Sequence, residues 1–189
     1  MKLVRIFAHD KNQLLSIQFD ESGSDEFRKA FNQWQDVEYL EDFFETNKED
    51  LQSDFYGKIS VEDAVLETLK ESREFEEKIR HEAKKGANYS ETSLNDIVFK
   101  PLNKYETKIK YQQSKAYGGL KSHSWLRIYA IRISANIFVV SGSAIKLTEK
   151  MEERDHTKEE LKKLNRTAQF LKNIGFEDED DFGFIEINN

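Results

Sequence analysis

Residues 127–146, RIYAIRISANIFVVSGSAIK, constrain the fold more than any other stretch of the chain. The run is dominated by apolar and β-branched residues, is interrupted by SAN, and ends on a lysine. It reads as two strands joined by a tight turn. The register of that hairpin decides which side chains meet. With Ala135-Asn136 as a two-residue turn, Ser134 faces Ile137 and Trp125 lies opposite Lys146. Lys146 then joins the face carrying Trp125, Arg127 and Tyr129. A three-residue turn moves Lys146 to the other side, because a slip of one residue reverses the faces. Both registers are compatible with the sequence.

The remaining pattern places this hairpin in a single domain. Apolar runs at 3–8 and 14–19, separated by HDKNQ, predict an opening β-hairpin. Helical spacing follows in Phe27, Ala30, Phe31 and Trp34, then in Tyr39, Leu40, Phe43 and Phe44. A longer helix is expected from about Val61 to Lys85, with Ser60 and Asp63 at capping spacing and Gly86 at its end. GANYSETS reads as loop. From Leu94 the pattern returns to strands in NDIVF, KYETKIKY, SWLRIYAIRIS and NIFVVSGSAI. Alternation in KYETKIKY puts Lys104, Glu106, Lys108 and Lys110 on one face. A closing helix is predicted over 157–174, with Thr157 and Glu160 as a capping box. Its apolar stripe is Leu161, Leu164, Ala168 and Leu171, and Gly175 is its stop. The predicted class is α+β over residues 1–176, with a mixed or antiparallel sheet of about five or six strands. It comprises an N-terminal helical block (24–86), a cationic sheet region (93–150) and the C-terminal helix. Residues 177–189 form an acidic tail.

Charge is where the sequence speaks about partners. The chain has 189 residues and a net charge of -7, yet the sign is segregated. Residues 1–92 carry 13 Lys/Arg against 22 Asp/Glu, whereas residues 93–150 carry 10 against 3. The closing helix region (151–176) is nearly balanced, and the tail holds 6 acidic residues and no basic one. A cationic island in an acidic protein points to an anionic partner. Lys and Arg interleaved with Trp and Tyr suit RNA, since cations neutralise phosphates and rings stack on unpaired bases. The same residues also suit a solvated sheet face, with Trp and Tyr completing a core layer beneath helices. The tail reads either as a solvated appendage or as a segment, Asp178 to Phe182, that folds back and competes with RNA.

Composition closes several other routes. Fourteen Phe among 12% aromatics argue against a disordered chain. The absence of cysteine removes disulfides and thiolate metal sites and fits a reducing compartment. No apolar run approaches the roughly 20 residues of a membrane span, and no signal peptide is visible, so a cytoplasmic protein without a membrane partner is expected. There is no Walker A string, no GxGxxG and no nucleophile elbow. No cofactor is expected, and the run EDEDD lacks the spacing of a metal site.

From Leu94 to Phe176 the chain resembles the RelE/HigB group of toxin–antitoxin ribonucleases, in its branch related to phage-derived proteins. The likeness is carried by FKPLNKYETK, by SWLRIYAIR, by IFVVSGSAIKLTEK and by TKEELKKLNRTAQFL. It implies a metal-independent messenger-RNA endoribonuclease, acting on free or ribosome-bound message and restrained by a cognate antitoxin. Lys108, Arg127 and Lys146 would supply charge to the phosphate. Tyr129 or His123 would move protons, and Lys104, Lys110 and Trp125 would hold RNA. Two other readings stand beside it. One is a non-catalytic RNA- or protein-binding module that keeps a toxin-like sheet, and the other a structural partner whose acidic surface binds a basic protein.

Overall fold

A computed structural model describes residues 1–9, 12–21, 23–53, 55–86, 94–106, 110–119, 124–178, 181 and 187–188. The most apolar strand, β6 (Ile137–Ile145), is buried almost throughout, as expected of a strand covered on both faces. Around it the sheet runs β3 (Phe99–Pro101), β4 (Gln112–Tyr117), β5 (Leu126–Arg132), β6, β2 (Asn12–Gln18), β1 (Lys2–His9) and β7 (Ile187–Asn188). Pairing is antiparallel except between β2 and β6 and between β1 and β7, which makes the sheet mixed. The α+β class with a C-terminal helix is what the structure has. The two-residue β7 brings the strand count to seven.

Strand alternation divides the interior into two cores. Leu14, Ala116, Leu126, Ile128, Ala130, Phe138 and Val140 point to the N-terminal helices. Leu15, Ile17, Tyr129, Ile131, Val139 and Ala144 point to the C-terminal helix. The first layer consists of α1 (Glu26–Trp34), α2 (Val37–Thr46), the short α3 (Lys48–Leu51) and α4 (Val61–Gly86). Asp25 caps α1 by accepting from Phe27 N and Arg28 N at 3.0 and 3.1 Å. Ser60 and Asp63 exchange the expected contacts at the start of α4: Asp63 N donates to Ser60 Oγ at 3.1 Å, and the Ser60 hydroxyl donates to the Asp63 carboxylate at 2.6 Å. Ala64, Thr68, Phe75, Ile79 and Ala83 form the buried ridge of α4. Phe75 stacks on Trp34 and meets Phe31 edge-on. Burying each such ring contributes about 1.5–3 kcal/mol.

The second layer is α5 (Asp155–Asn173). Leu164 and Leu171 are fully buried on its inner face, with Leu161 and Ala168 partly buried beside them. Gly175, at φ +69°, ends it, and Phe176 N reaches back to Leu171 O at 3.0 Å. The expected capping box at Thr157 and Glu160 does not form. The helix begins two residues earlier, so Thr157 lies inside the first turn. Its buried hydroxyl donates to the carbonyls of Met151 (2.5 Å) and Arg154 (2.9 Å), while Glu160 turns to Lys163.

The hairpin register combines two irregularities that cancel. Ile133 N donates to Ile137 O, so the turn has three residues, Ser134 to Asn136. A bulge then places both Val140 and Ser141 before Gly142 on the opposite strand, shifting the register between Tyr129 and Ala130. Beyond the bulge Arg127 pairs with Ala144 and Lys146 N donates to Trp125 O at 2.8 Å. Trp125 therefore faces Lys146, as a two-residue turn alone would have placed it.

The expected strand KYETKIKY is displaced. Asn103 starts a turn in which its side chain accepts from Tyr105 N and its carbonyl from Glu106 N, both at 3.0 Å. Residues 107–109 lie outside the described residues. Tyr111 adopts φ +58°, so the extended backbone starts only at Gln112. The strand in this region is QQSKAY, and the shared face of Lys104, Glu106 and Lys110 is not formed. NDIVF likewise yields a π-helical turn (Leu94–Val98) before the short β3.

Candidate functional site

On the α5 side of the sheet, beyond the bulge, the two cores leave a cleft of about 800 Å³. Its floor is built by direct cross-strand pairs: Tyr117 opposite Arg127, and Lys115 opposite Tyr129. Lys146 enters from the end of β6, and residues 147–149 and 151–152 continue that wall. Leu161 of α5, Leu102 after β3, and Ser53, Phe55 and Tyr56 after α3 complete the lining. Gly142 allows this closeness. A Cβ there would fall 1.7 Å from Glu160 Oε2, so a side chain would force the Glu160 carboxylate out of its place against β6.

The helical block braces the rim. Arg154 makes a two-pronged contact to Asp50, at 3.0 Å through Nε and 2.5 Å through Nη2. Phe43 packs edge-on to His156, whose Nε2 lies 3.0 Å from Ile145 O. Glu71 of α4 accepts from Gly119 N at 2.5 Å, holding the segment that leaves β4. Burial pushes the Glu71 carboxyl upward.

The cleft lining sets three cations, Lys115, Arg127 and Lys146, against two carboxylates, Glu149 and Glu152, and no salt bridge holds any of the three cations among the described residues. The Arg127 guanidinium lies 4.2 Å from the centre of the Tyr117 ring, and Lys115 Nζ lies 5.6 Å from the same ring. Arg127 Nη1 donates to Leu126 O at 2.8 Å, and burial lowers its pKa. Lys146 Nζ donates to Thr148 O at 2.5 Å and also to Glu149 O. Its pKa is pulled down by burial first, then by the charges of Arg127 and Lys115, against a weaker opposing pull from Glu153 and Glu149. Tyr129 is 1% exposed, and its hydroxyl has no hydrogen-bond partner among the described residues. Burial raises its pKa, so the phenol stays protonated and can only gain by donating. Three cations around one cavity suit an anion with several oxygens.

Of the residues expected from sequence, Arg127, Tyr129 and Lys146 come together here. Lys108 and His123 lie outside the described residues. Lys110 is paired with Glu177, and Lys104 lies over the Tyr105 ring at 5.1 Å; neither lines the cleft. The face shared by Trp125, Arg127 and Tyr129 needs correction. Trp125 precedes β5, is 3% exposed, and turns into the helical core. There it meets Phe44 and Tyr56, and its Nε1 donates to Thr68 Oγ1 at 2.8 Å. Lys115 and Tyr117 were not anticipated. The alternation of Lys115 and Tyr117 with Ser114 and Ala116 was the signal, hidden because the strand was sought some residues earlier.

The chain matches no protein-family model, no curated protein and no solved structure. Among the described residues no three His, Asp or Glu side chains are grouped as a metal ion would require, and no helix is long and apolar enough to cross a membrane.

Proposed function

We propose that the cleft binds the phosphodiester backbone of single-stranded RNA and cleaves it without a metal ion, as a RelE/HigB-like toxin does. In this reading the protein acts on messenger RNA in the cytoplasm, free or on the ribosome, and is restrained by a cognate antitoxin. The observation that carries the proposal is that Lys115, Arg127 and Lys146 line one cavity together with Tyr129. Arg127 and Lys146 are two of the cations that the resemblance assigned, and they reach one cavity from separate strands.

Cleavage here is an internal transesterification. The 2′-oxygen attacks phosphorus and gives up its proton, while the 5′-oxygen of the next nucleotide leaves and takes one. A 2′,3′-cyclic phosphate is left behind. Lys115 and Arg127 neutralise the charge that gathers on the non-bridging oxygens, worth about 2.7–4 kcal/mol for one well-placed donor. Lys146, held below the ordinary lysine range, accepts the 2′-hydroxyl proton in its neutral form. The rate should therefore rise with pH as Lys146 loses its proton, and Lys146→Arg should abolish that rise while keeping the charge.

The non-catalytic reading has one observation in its favour: the Lys146 ammonium already donates to two backbone carbonyls. Induction in bacteria separates the two. The wild type should arrest growth and leave cyclic-phosphate ends on cellular RNA, and Arg127→Ala with Lys146→Ala should do neither. Harmless growth with intact RNA in both strains would support a binding module instead.

A further inference from the structure

Arg127 lines the cleft half-buried, yet no salt bridge holds it among the described residues. The contacts that hold it are uncharged. Its Nη1 donates to Leu126 O at 2.8 Å, and its guanidinium carbon lies 4.2 Å from the centre of the Tyr117 ring. Tyr117, the last residue of β4, is its direct cross-strand partner. Lys115 precedes Tyr117 by two residues on the same face of β4, and its Nζ lies 5.6 Å from the same ring. One ring therefore meets two cations. Lys115 and Arg127 are diagonal neighbours across β4 and β5, close enough for long side chains to feel each other's charge. Burial lowers the Arg127 pKa, and the phenols of Tyr117, Tyr129 and Tyr56 oppose this ahead of the Glu71 carboxyl.

A ring holds a cation differently from a carboxylate. The face of a phenol attracts the cation through its quadrupole and leaves the charge in place. A carboxylate beside Arg127 would grip it in a two-pronged contact, as Asp50 grips Arg154, and would take the edge that a phosphate needs. Resting on the reading of the cleft as an RNA site, we propose that Tyr117 is a positioning residue, its ring holding the Arg127 guanidinium in place, with its charge unspent, for a phosphate of the bound strand. A long side chain fixed beforehand loses less freedom when the ligand arrives. Arginine suits this arrangement better than lysine, because a planar guanidinium stacks on a ring while its N–H groups point outward along the edge.

The test uses the full chain and an uncleavable single-stranded 2′-O-methyl oligoribonucleotide, titrated across a salt series. Tyr117→Leu removes no charge. It should nonetheless weaken binding by about 2- to 30-fold, the range for loss of one cation–π contact. Its salt slope should fall toward that of Arg127→Met, by up to about 0.7, because the released guanidinium no longer meets its phosphate. Tyr117→Phe keeps the ring face and should keep both affinity and slope. With Arg127→Met already in place, Tyr117→Leu should add little. A loss of affinity with an unchanged slope would overturn the proposal and point to direct stacking of Tyr117 on a base. A phenylalanine variant as weak as the leucine one would overturn it too, in favour of a contact through the hydroxyl. So would a leucine variant that binds like the wild type, or a loss that persists undiminished in the Arg127→Met background, which misfolding would also produce. If the wild type binds no RNA, the reading of the cleft itself fails, and this proposal with it.

Discussion

Two lysines near β6 lie in opposite electrostatic settings. Lys163 of α5 is mostly buried between two carboxylates, donating to Glu26 Oε2 and to Glu160 Oε1 at 2.8 Å each. Those carboxylates raise its pKa. Lys146 has no carboxylate in hydrogen-bonding contact and lies near Arg127 and Lys115, and its pKa falls. Burial acts downward on both; the neighbours decide the sign. A charge matched by its own chain belongs to the architecture, whereas charges left unmatched in a cavity are matched by what enters it.

The largest effect that can break this comparison is on stability. Lys163→Ala leaves the buried Glu160 carboxylate without a salt bridge and Glu26 with Lys29 at 3.6 Å, and should cost about 3–5 kcal/mol, measured by chemical denaturation. Its folded fraction should still bind RNA. A loss of RNA affinity without loss of stability would merge the two regions that the comparison separates.

The next effect is smaller and depends on pH. Burial, with the neighbouring Glu26 charge adding to it and Lys163 opposing, pushes the Glu160 carboxyl up to about 7. Its folded pKa exceeds its unfolded value, so ionisation disfavours the fold. The penalty is absent below about pH 4.5, grows as pH rises to about 7, and stays above that. Glu160→Gln should flatten this slope and, above pH 7, leave the protein as stable as the wild type or more so, by at most about 3 kcal/mol. Parallel stability curves for the two proteins between pH 4.5 and 7 would contradict this account of the cluster.

The smallest effect sharpens the contrast from the other side. Arg127→Met removes a cation–π contact with Tyr117 and a bond to a neighbouring carbonyl, but orphans no carboxylate. It should cost no more than about 1 kcal/mol. A cost as large as that of Lys163→Ala would make Arg127 architectural.

What was legible in the sequence follows the range of the forces involved. Helices with strong local signals, such as α4 between Ser60 and Gly86, came out to within a residue, because capping and apolar spacing act over a few positions. Of the two registers the sequence left open, the one observed beyond the bulge is that of the two-residue turn, because the extra residue in the turn and the extra residue at Ser141 offset each other. Trp125 did not follow alternation, since the strand begins one residue later and the helical core offers Thr68 as a partner for its indole. Lys115 and Tyr117 escaped because Tyr111 takes a left-handed conformation that no residue type announces. The loop carrying Phe55 was invisible as part of the site, since only the fold brings residues 53–56 beside β5 and β6.

The reading proposed for the cleft is that Lys115, Arg127 and Lys146, which no salt bridge engages among the described residues, hold RNA for cleavage. It is tested most directly by titrating purified wild type, Lys115→Ala and Arg127→Ala/Lys146→Ala with single-stranded RNA across a salt series, scoring cleavage in parallel. The account predicts steeply salt-dependent binding by the wild type, a slope reduced by about 0.7 for Lys115→Ala, and loss of cleavage in the double variant. Salt-independent or absent binding in all three proteins would contradict it.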